Sequence, residues 1–185
     1  MDTASAAISI LYKAKARERF LTATFLVMDA LALKDVAEVS DTAIDSGLFH
    51  VFNDSDRHRY VEVMRTVSKS GGRLFVLCFT DPEPGTQGPR RVSRNEIEDA
   101  FAKSGTVETI EPSSFKTRPD MKDLKFSDGG PKAWFVVMRE YDRGHGAATG
   151  TVTLELPPAI LFVRPTSQNY WLLNEQCDWR TANVP

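Results

Sequence analysis

The stretch Val67-Ser68-Lys69-Ser70-Gly71-Gly72-Arg73-Leu74-Phe75-Val76-Leu77-Cys78-Phe79 decides the fold. Its last six residues, Leu74 to Phe79, are apolar without alternation. Both faces are therefore expected to be buried, as in a central parallel strand covered by helices. Lys69 to Gly72 reads as the end of a helix, with a cation in the last turn and a glycine stop. Upstream, Tyr60, Val61, Met64 and Val67 recur at helical spacing, and Asn53, Asp54 and Ser55 offer N-caps. Downstream, Asp81-Pro82-Glu83-Pro84-Gly85 through Gly88-Pro89 is a turn-rich loop. Ser93 and Glu96 then form an S-x-x-E capping box before Ile97, Ala100 and Phe101.

Further out the same alternation continues. Thr24-Phe25-Leu26-Val27-Met28 reads as a buried strand ended by Asp29, with a short helical piece at about 30 to 37. Thr42-Ala43-Ile44 is a second short strand, ended by Asp45-Ser46-Gly47. Residues 5 to 19 predict a helix, with Ile8, Leu11 and Tyr12 on one face and Lys13, Lys15, Arg17 and Arg19 largely on the other. Thr106 to Ile110 and Ala133 to Met138 are strands separated only by the loop 112 to 130, so an antiparallel hairpin at one edge is expected. Helices and strands in this order imply an α/β layered sheet. It occupies residues 1–140 as one domain; residues 141–185, interrupted by Gly144, Gly146, Gly150 and Pro157-Pro158, fit no strand of it.

The 185 residues carry 23 basic and 25 acidic side chains, a net charge of -2. That balance offers no electrostatic case for a nucleic-acid binder. No stretch approaches the roughly 20 apolar residues of a membrane span, and the N-terminus has no secretory h-region. Cys78 and Cys177 have no partner motif and read as reduced thiols of a cytoplasmic protein. His50, His58 and His145 form no ligand set with them, so no metal site is expected.

Four segments together resemble class I S-adenosylmethionine-dependent methyltransferases, from about residue 5 to residue 140. Phe25-Leu26-Val27-Met28-Asp29-Ala30 is similar to the family's third strand and the acidic loop after it. Ala43-Ile44-Asp45-Ser46-Gly47-Leu48-Phe49-His50 is similar to the fourth strand and its mouth. Val67 to Val76 resembles the approach to the fifth strand, and 105 to 140 the closing antiparallel pair. The DSGLFH segment and the Gly88-Pro89 loop look most like the branch acting on small molecules, near the thiol, halide and benzoquinone-type enzymes. The resemblance implies a Rossmann-like sheet with helices on both faces and an antiparallel C-terminal hairpin. The family's glycine-rich pattern E/D-x-G-x-G-x-G does not occur, and a strand-helix-strand unit takes roughly 30 residues. An N-terminally incomplete fold is therefore expected. Gly144-x-Gly146-x-x-x-Gly150 is no substitute, because a dinucleotide loop opens a helix and Thr151-Val152-Thr153-Leu154 does not.

The resemblance also implies site residues, which should lie beyond the carboxyl ends of the strands. Asp29 would accept a hydrogen bond from the adenine amino group of S-adenosylmethionine, with the Ala30 backbone beside the ring; the residue alone reads equally as a helix N-cap. Asp45 and Ser46 would line the cofactor pocket near its methionine end, or serve the turn at Gly47. His50, at the mouth, is the catalytic candidate, as a base or to orient substrate, against a buried loop histidine bonded to backbone. Arg90 and Arg91 would grip an acidic substrate, against a solvated loop pair. Phe49, with Phe52 and Trp134, would wall the substrate pocket, against a place in the core. His58 reads as a surface residue and Cys78 as a small buried hydrophobe.

The implied activity is methyl transfer from S-adenosylmethionine to a small-molecule thiol, halide or hydroxyl, impaired by the missing glycine loop. The alternative is a non-catalytic, truncated methyltransferase-like protein acting through association, since unpaired sheet edges invite self-association. Neither nucleic acid nor membrane is an expected partner.

Overall fold

The structure, a computed structural model, describes Glu18 and residues 29–33, 39–86, 88–116 and 126–140. The predicted helix at 5 to 19 (but for Glu18), the strand at 24 to 28, the second half of the piece at 30 to 37 and the tail 141–185 lie outside them. The described elements run β1 (Ser40–Ser46), a 3-10 turn (Phe49–Val51), α1 (Asp54–Thr66), β2 (Ser68–Phe79), α2 (Arg94–Phe101), β3 (Gly105–Ser114) and β4 (Lys132–Glu140). They make one four-stranded sheet in the order β1-β2-β4-β3. β1 pairs parallel with β2, while β4 is antiparallel to both β2 and β3. The β3–β4 pair is the expected hairpin.

α1 starts where the caps predict. Asn53 Oδ1 accepts from the Asp56 N–H at 2.9 Å, and Asp54 and Asp56 place carboxylates in the positive first turn. Its buried side is Arg57, Tyr60, Val61 and Met64, a helical stripe in which the arginine was not expected. α2 carries the full capping box: the Ser93 hydroxyl accepts from Glu96 N–H, and the Glu96 carboxylate accepts from Ser93 N–H.

The deciding stretch behaves differently from its reading at both ends. The helix stops at Thr66, and Lys69 to Gly72 belong to β2 instead of a helical last turn. The register jumps from Ser40↔Ser68 to Thr42↔Arg73, so β2 carries extra residues there. Gly71, at φ +73°, turns this bulge, and Gly72 packs so closely that a Cβ would stand 2.9 Å from the Lys69 carbonyl oxygen. The apolar run itself is buried unequally. Leu74, Val76 and Cys78 are wholly inside, whereas Phe75 and Leu77 are half-buried.

This asymmetry follows from the layers. Leu74, Val76 and Cys78 face Met138, Val136 and Trp134 across the β2–β4 ladder. Against them pack Tyr60, Val61 and Met64 of α1 and Ile97, Ala100 and Phe101 of α2, with Ala30 and Leu33 in the same cluster. Both described helices therefore cover one face. The opposite face presents Ile44, Phe75 and Phe135, with the rings of Phe75 and Phe135 stacked at 6.1 Å.

Candidate functional site

The carboxyl ends of the parallel pair β1 and β2 open toward Ser46, Gly47 and Thr80. In open α/β sheets that is where ligands bind. Alternation sends Asp45 and Ser46 to opposite faces of β1. Ser46 is exposed. Asp45 is buried, and both of its oxygens are occupied. Oδ1 accepts from Leu48 N–H at 2.7 Å; Oδ2 accepts from Phe49 N–H at 2.9 Å and from the Tyr60 hydroxyl at 3.0 Å. Burial raises its pKa to about 6 against the pull of those three bonds. Asp45 thus organises the turn from inside and does not line the mouth with its side chain.

That turn carries Phe49 and His50. Phe49 is fully buried, stacked on Phe101 at 5.5 Å, with the Arg57 guanidinium 5.2 Å above its ring. It is a core residue, out of reach of a substrate. His50 is also fully buried. Its Nδ1 accepts the Phe79 N–H at 2.9 Å, so Nε2 carries the proton. Burial, with the Arg91 and Arg57 charges adding, lowers its pKa to about 3. The imidazole is neutral at pH 7, and its remaining nitrogen is a donor. The expected base role is therefore not the one this geometry suits.

Arg90 and Arg91 serve the fold. Arg90 donates to Asp54 Oδ1 at 2.7 Å and pairs with Glu96, tying the starts of α1 and α2 together. The Arg90 contact is also what holds Asp54 below the usual carboxylate range. Arg91 donates to the carbonyls of Glu83, Pro84, Gly85 and Pro89 and lies 5.1 Å over the Phe79 ring. It folds the loop after β2 around itself. The remaining pocket-wall candidates are placed likewise: Phe52 is buried against Tyr60, and the Trp134 Nε1–H donates to Val92 O at 3.1 Å. His58 is exposed and Cys78 is buried, its thiol pushed up by burial.

Asp29 differs from these. Its carboxylate is exposed, Oδ1 accepts the Leu31 N–H at 2.9 Å, and its carbonyl accepts the Ala32 N–H at 3.0 Å. Oδ2 has no partner among the described residues. Ala30, next to it, is buried in the main core. The structure thus leaves Asp29 and Ser46 accessible, with Ala30 fixed behind Asp29.

Two features escaped the sequence reading. Glu83 is buried and accepts the backbone N–H groups of Ser127 at 3.0 Å and Lys132 at 2.7 Å. Burial opposes its ionisation, yet those bonds keep its pKa below the ordinary value. Nothing in Asp81-Pro82-Glu83-Pro84-Gly85 signals this, since its partners are remote. A small aromatic cluster, Phe79, Phe115 and Phe126, closes the end of β2 beside His50. Phe115 and Phe126 lie in the long loop, where no periodicity marks them.

Among the described residues no group of His, Cys, Asp and Glu is placed to hold a metal ion, and no helix is long and apolar enough to cross a membrane. No protein-family model matches the chain, and no curated protein matches it. Solved structures do. One, reported as "Conversion of a Disulfide Bond into a Thioacetal Group during Echinomycin Biosynthesis", is 28% identical at a TM-score of 0.60, over 73% of this chain. The chain spans 62% of that structure's length. A SAM-dependent methyltransferase from Methanosarcina mazei is 12% identical at a TM-score of 0.57, over 74% of this chain and 78% of its own. The 1,6-didemethyltoxoflavin-N1-methyltransferase of Burkholderia thailandensis, with bound 1,6-didemethyltoxoflavin and S-adenosylhomocysteine, is 17% identical at a TM-score of 0.53, over 71% of this chain and 56% of its own. With its β1-β2-β4-β3 order and antiparallel closing pair, the chain has the fold of the class I S-adenosylmethionine-dependent methyltransferases.

Proposed function

We propose that the chain binds S-adenosylmethionine at the carboxyl ends of its parallel strands and serves methyl transfer to a small-molecule thiol, halide or hydroxyl. The observation that carries this is the exposed Asp29 carboxylate, fixed by Leu31 N–H through one oxygen and open at the other. That open oxygen fits a donor such as an adenine amino group, and the buried Ala30 fixes the backbone beside it. Ser46 and Gly47 would border the methionine end. Residues 1–185 hold no E/D-x-G-x-G-x-G pattern. The affinity measured on them is therefore expected to fall short of a complete pocket's.

When bound, the cofactor supplies an electrophilic methyl group on a sulfonium. The chain's own part would be to align the acceptor and exclude water, for which buried Phe79 and Phe115 stand at the mouth. Fold alone does not carry this activity. The test is calorimetric titration of the folded chain with S-adenosylhomocysteine. Saturable binding, weakened about tenfold or more in Asp29→Ala, is expected for a lost hydrogen bond to a charged group. A folded chain that binds none overturns the proposal and leaves association with other chains as the better reading.

A further inference from the structure

The turn after β1 is tied at both ends and in the middle. Gly47 N–H donates to Leu77 O at 2.9 Å, and Phe79 N–H donates to His50 Nδ1 at 2.9 Å. Between these ties the Asp45 carboxylate holds the Leu48 and Phe49 N–H groups. Gly47, at φ +91°, makes the left-handed step by which the turn leaves the strand.

The middle tie is the one that titrates near neutrality. Asp45 is buried, and among the described residues no ion pair reaches it. Its pKa stands at about 6 through burial. The groups around it hold their charge in that range. Tyr60 of α1 and the Cys78 thiol of β2 are both raised by burial and by the Asp45 charge. His50 of the turn is lowered to about 3 by burial and by Arg91 and Arg57. Glu96 of α2, against the cost of its burial, is held below the ordinary value by Ser93 and the arginines, and it pairs with Arg57 of α1.

Three donors already point at the two oxygens of Asp45. An added proton needs an acceptor, and the two amides are fixed by the backbone. The Tyr60 hydroxyl is the group that can turn, offering its oxygen and withdrawing its hydrogen. The proton then sits on Oδ2, the oxygen that Tyr60 shares with Phe49 N–H. A hydroxyl oxygen accepts less strongly than a carboxylate oxygen, so the Phe49 bond slackens. Leu48 N–H, on Oδ1, keeps a carbonyl oxygen.

We propose that Asp45 and Tyr60 form a proton-operated clasp on this turn: ionised, the carboxylate holds Phe49 and so fixes the Ser46–Gly47 edge of the mouth, and neutral, it lets that edge move. Both are then positioning residues for the methionine end of the cofactor, a role that rests on the methyl-transfer reading, whereas the clasp itself does not.

The test is NMR of the full chain, labelled with 15N and with 13C in the aspartate carboxyl groups, from about pH 7.5 to about pH 5. Hydrogen exchange of the Phe49 amide is corrected for its intrinsic pH dependence and referred to Gly47. It is expected to speed up about tenfold as Asp45 takes its proton, the difference between a charge-assisted and a neutral bond. Leu48 should change less. Asp45→Asn keeps an oxygen for Leu48 N–H and puts an NH2 group in place of Oδ2, so Phe49 should exchange fast at every pH. Wild type should bind S-adenosylhomocysteine at least about threefold more weakly at the lower pH, and Asp45→Asn should bind it alike at both. The clasp is overturned if the Asp45 carboxyl does not titrate in this range, if Phe49 and Gly47 exchange in step while it does, or if Asp45→Asn keeps the pH response. The wild-type carboxyl and amide signals decide this even if Asp45→Asn does not fold. A Phe49 response with unchanged affinity for S-adenosylhomocysteine overturns the positioning role. A responding turn in a chain that binds no S-adenosylhomocysteine supports the clasp and rejects the methyl-transfer reading alone.

Discussion

Tyr60 of α1 donates its hydroxyl to Asp45 Oδ2 at 3.0 Å, so a helix side chain anchors the carboxylate that shapes the mouth of the sheet. Asp45 in turn takes the Leu48 and Phe49 N–H groups, which start the turn bearing His50. The position of the imidazole thus depends on a buried carboxylate two contacts away.

Stability should register the titration of that carboxylate. Its pKa rises from 3.8 to about 6 on folding, chiefly through burial. Between those values the native chain holds a proton that the unfolded chain has released. The stabilising contribution is therefore full below pH 3.8 and is lost as pH rises through 6. A shift of two pKa units corresponds to about 3 kcal/mol. Urea unfolding of wild type and Asp45→Asn from pH 4 to 7 isolates it from the other carboxylates. Wild-type stability relative to the variant should fall by about that amount up to pH 6 and then level off. A flat difference would place Asp45 in contact with water.

Removing the Tyr60 hydroxyl tests the same link from the helix side. Tyr60→Phe leaves the packing of the ring in place and takes one donor from a buried carboxylate. The expected cost at pH 7 is about 1–3 kcal/mol. It should shrink at pH 4, where Asp45 is protonated and accepts less strongly. Equal costs at both pH values would mean that the hydroxyl's contribution does not depend on the charge of Asp45.

Much of this architecture was legible because its signals are local. Ser93 and Glu96 are three residues apart, and the capping box forms as written. Tyr60, Val61 and Met64 mark their own face of α1. The failures have one cause, which is that the deciding partner is remote in sequence. Arg57 is buried because Phe52 O, Glu96 and the Phe49 ring meet around it. Lys69 to Gly72 leave the helix because β1 claims their neighbours in a bulged ladder. In the site, the position of Asp45 beyond a strand was readable. Its inward direction was not, since that depends on the register with β2 and on where Tyr60 comes to stand.

The neighbouring arginines of the loop should separate in a stability measurement. Arg91 offers a planar fork to four carbonyls, a geometry that an ammonium cannot copy. Arg91→Lys should cost about 1–3 kcal/mol, because carbonyls of the loop lose a charged donor. Arg90, itself exposed, joins the exposed Asp54 and the half-buried Glu96, so Arg90→Lys should stay within about 1 kcal/mol, and raising the salt should shrink its effect. Equal costs for the two substitutions would contradict the division of roles drawn from their contacts.

Gly129 and Gly130 both adopt left-handed backbone, at φ +85° and +111°, yet they should differ sharply when replaced. An added Cβ at Gly129 meets nothing within 4 Å. Gly129→Ala therefore carries only backbone strain, about 1–2 kcal/mol. At Gly130 the Cβ would run into the carbonyl oxygen of Phe115. That oxygen belongs to backbone, and its neighbour Phe115 N–H is held by Pro131 O at 2.8 Å, so the strand end cannot simply retreat. Gly130→Ala should cost more than Gly129→Ala by at least about 2 kcal/mol, in the range of a forced backbone rearrangement added to strain. The clash also pushes on the segment that places the Phe115 ring beside His50. The His50 Nε2–H resonance should therefore shift in Gly130→Ala and stay put in Gly129→Ala. Matching stabilities and matching spectra for the two variants would show that the loop yields freely, and that Phe115 is not held fixed beside His50.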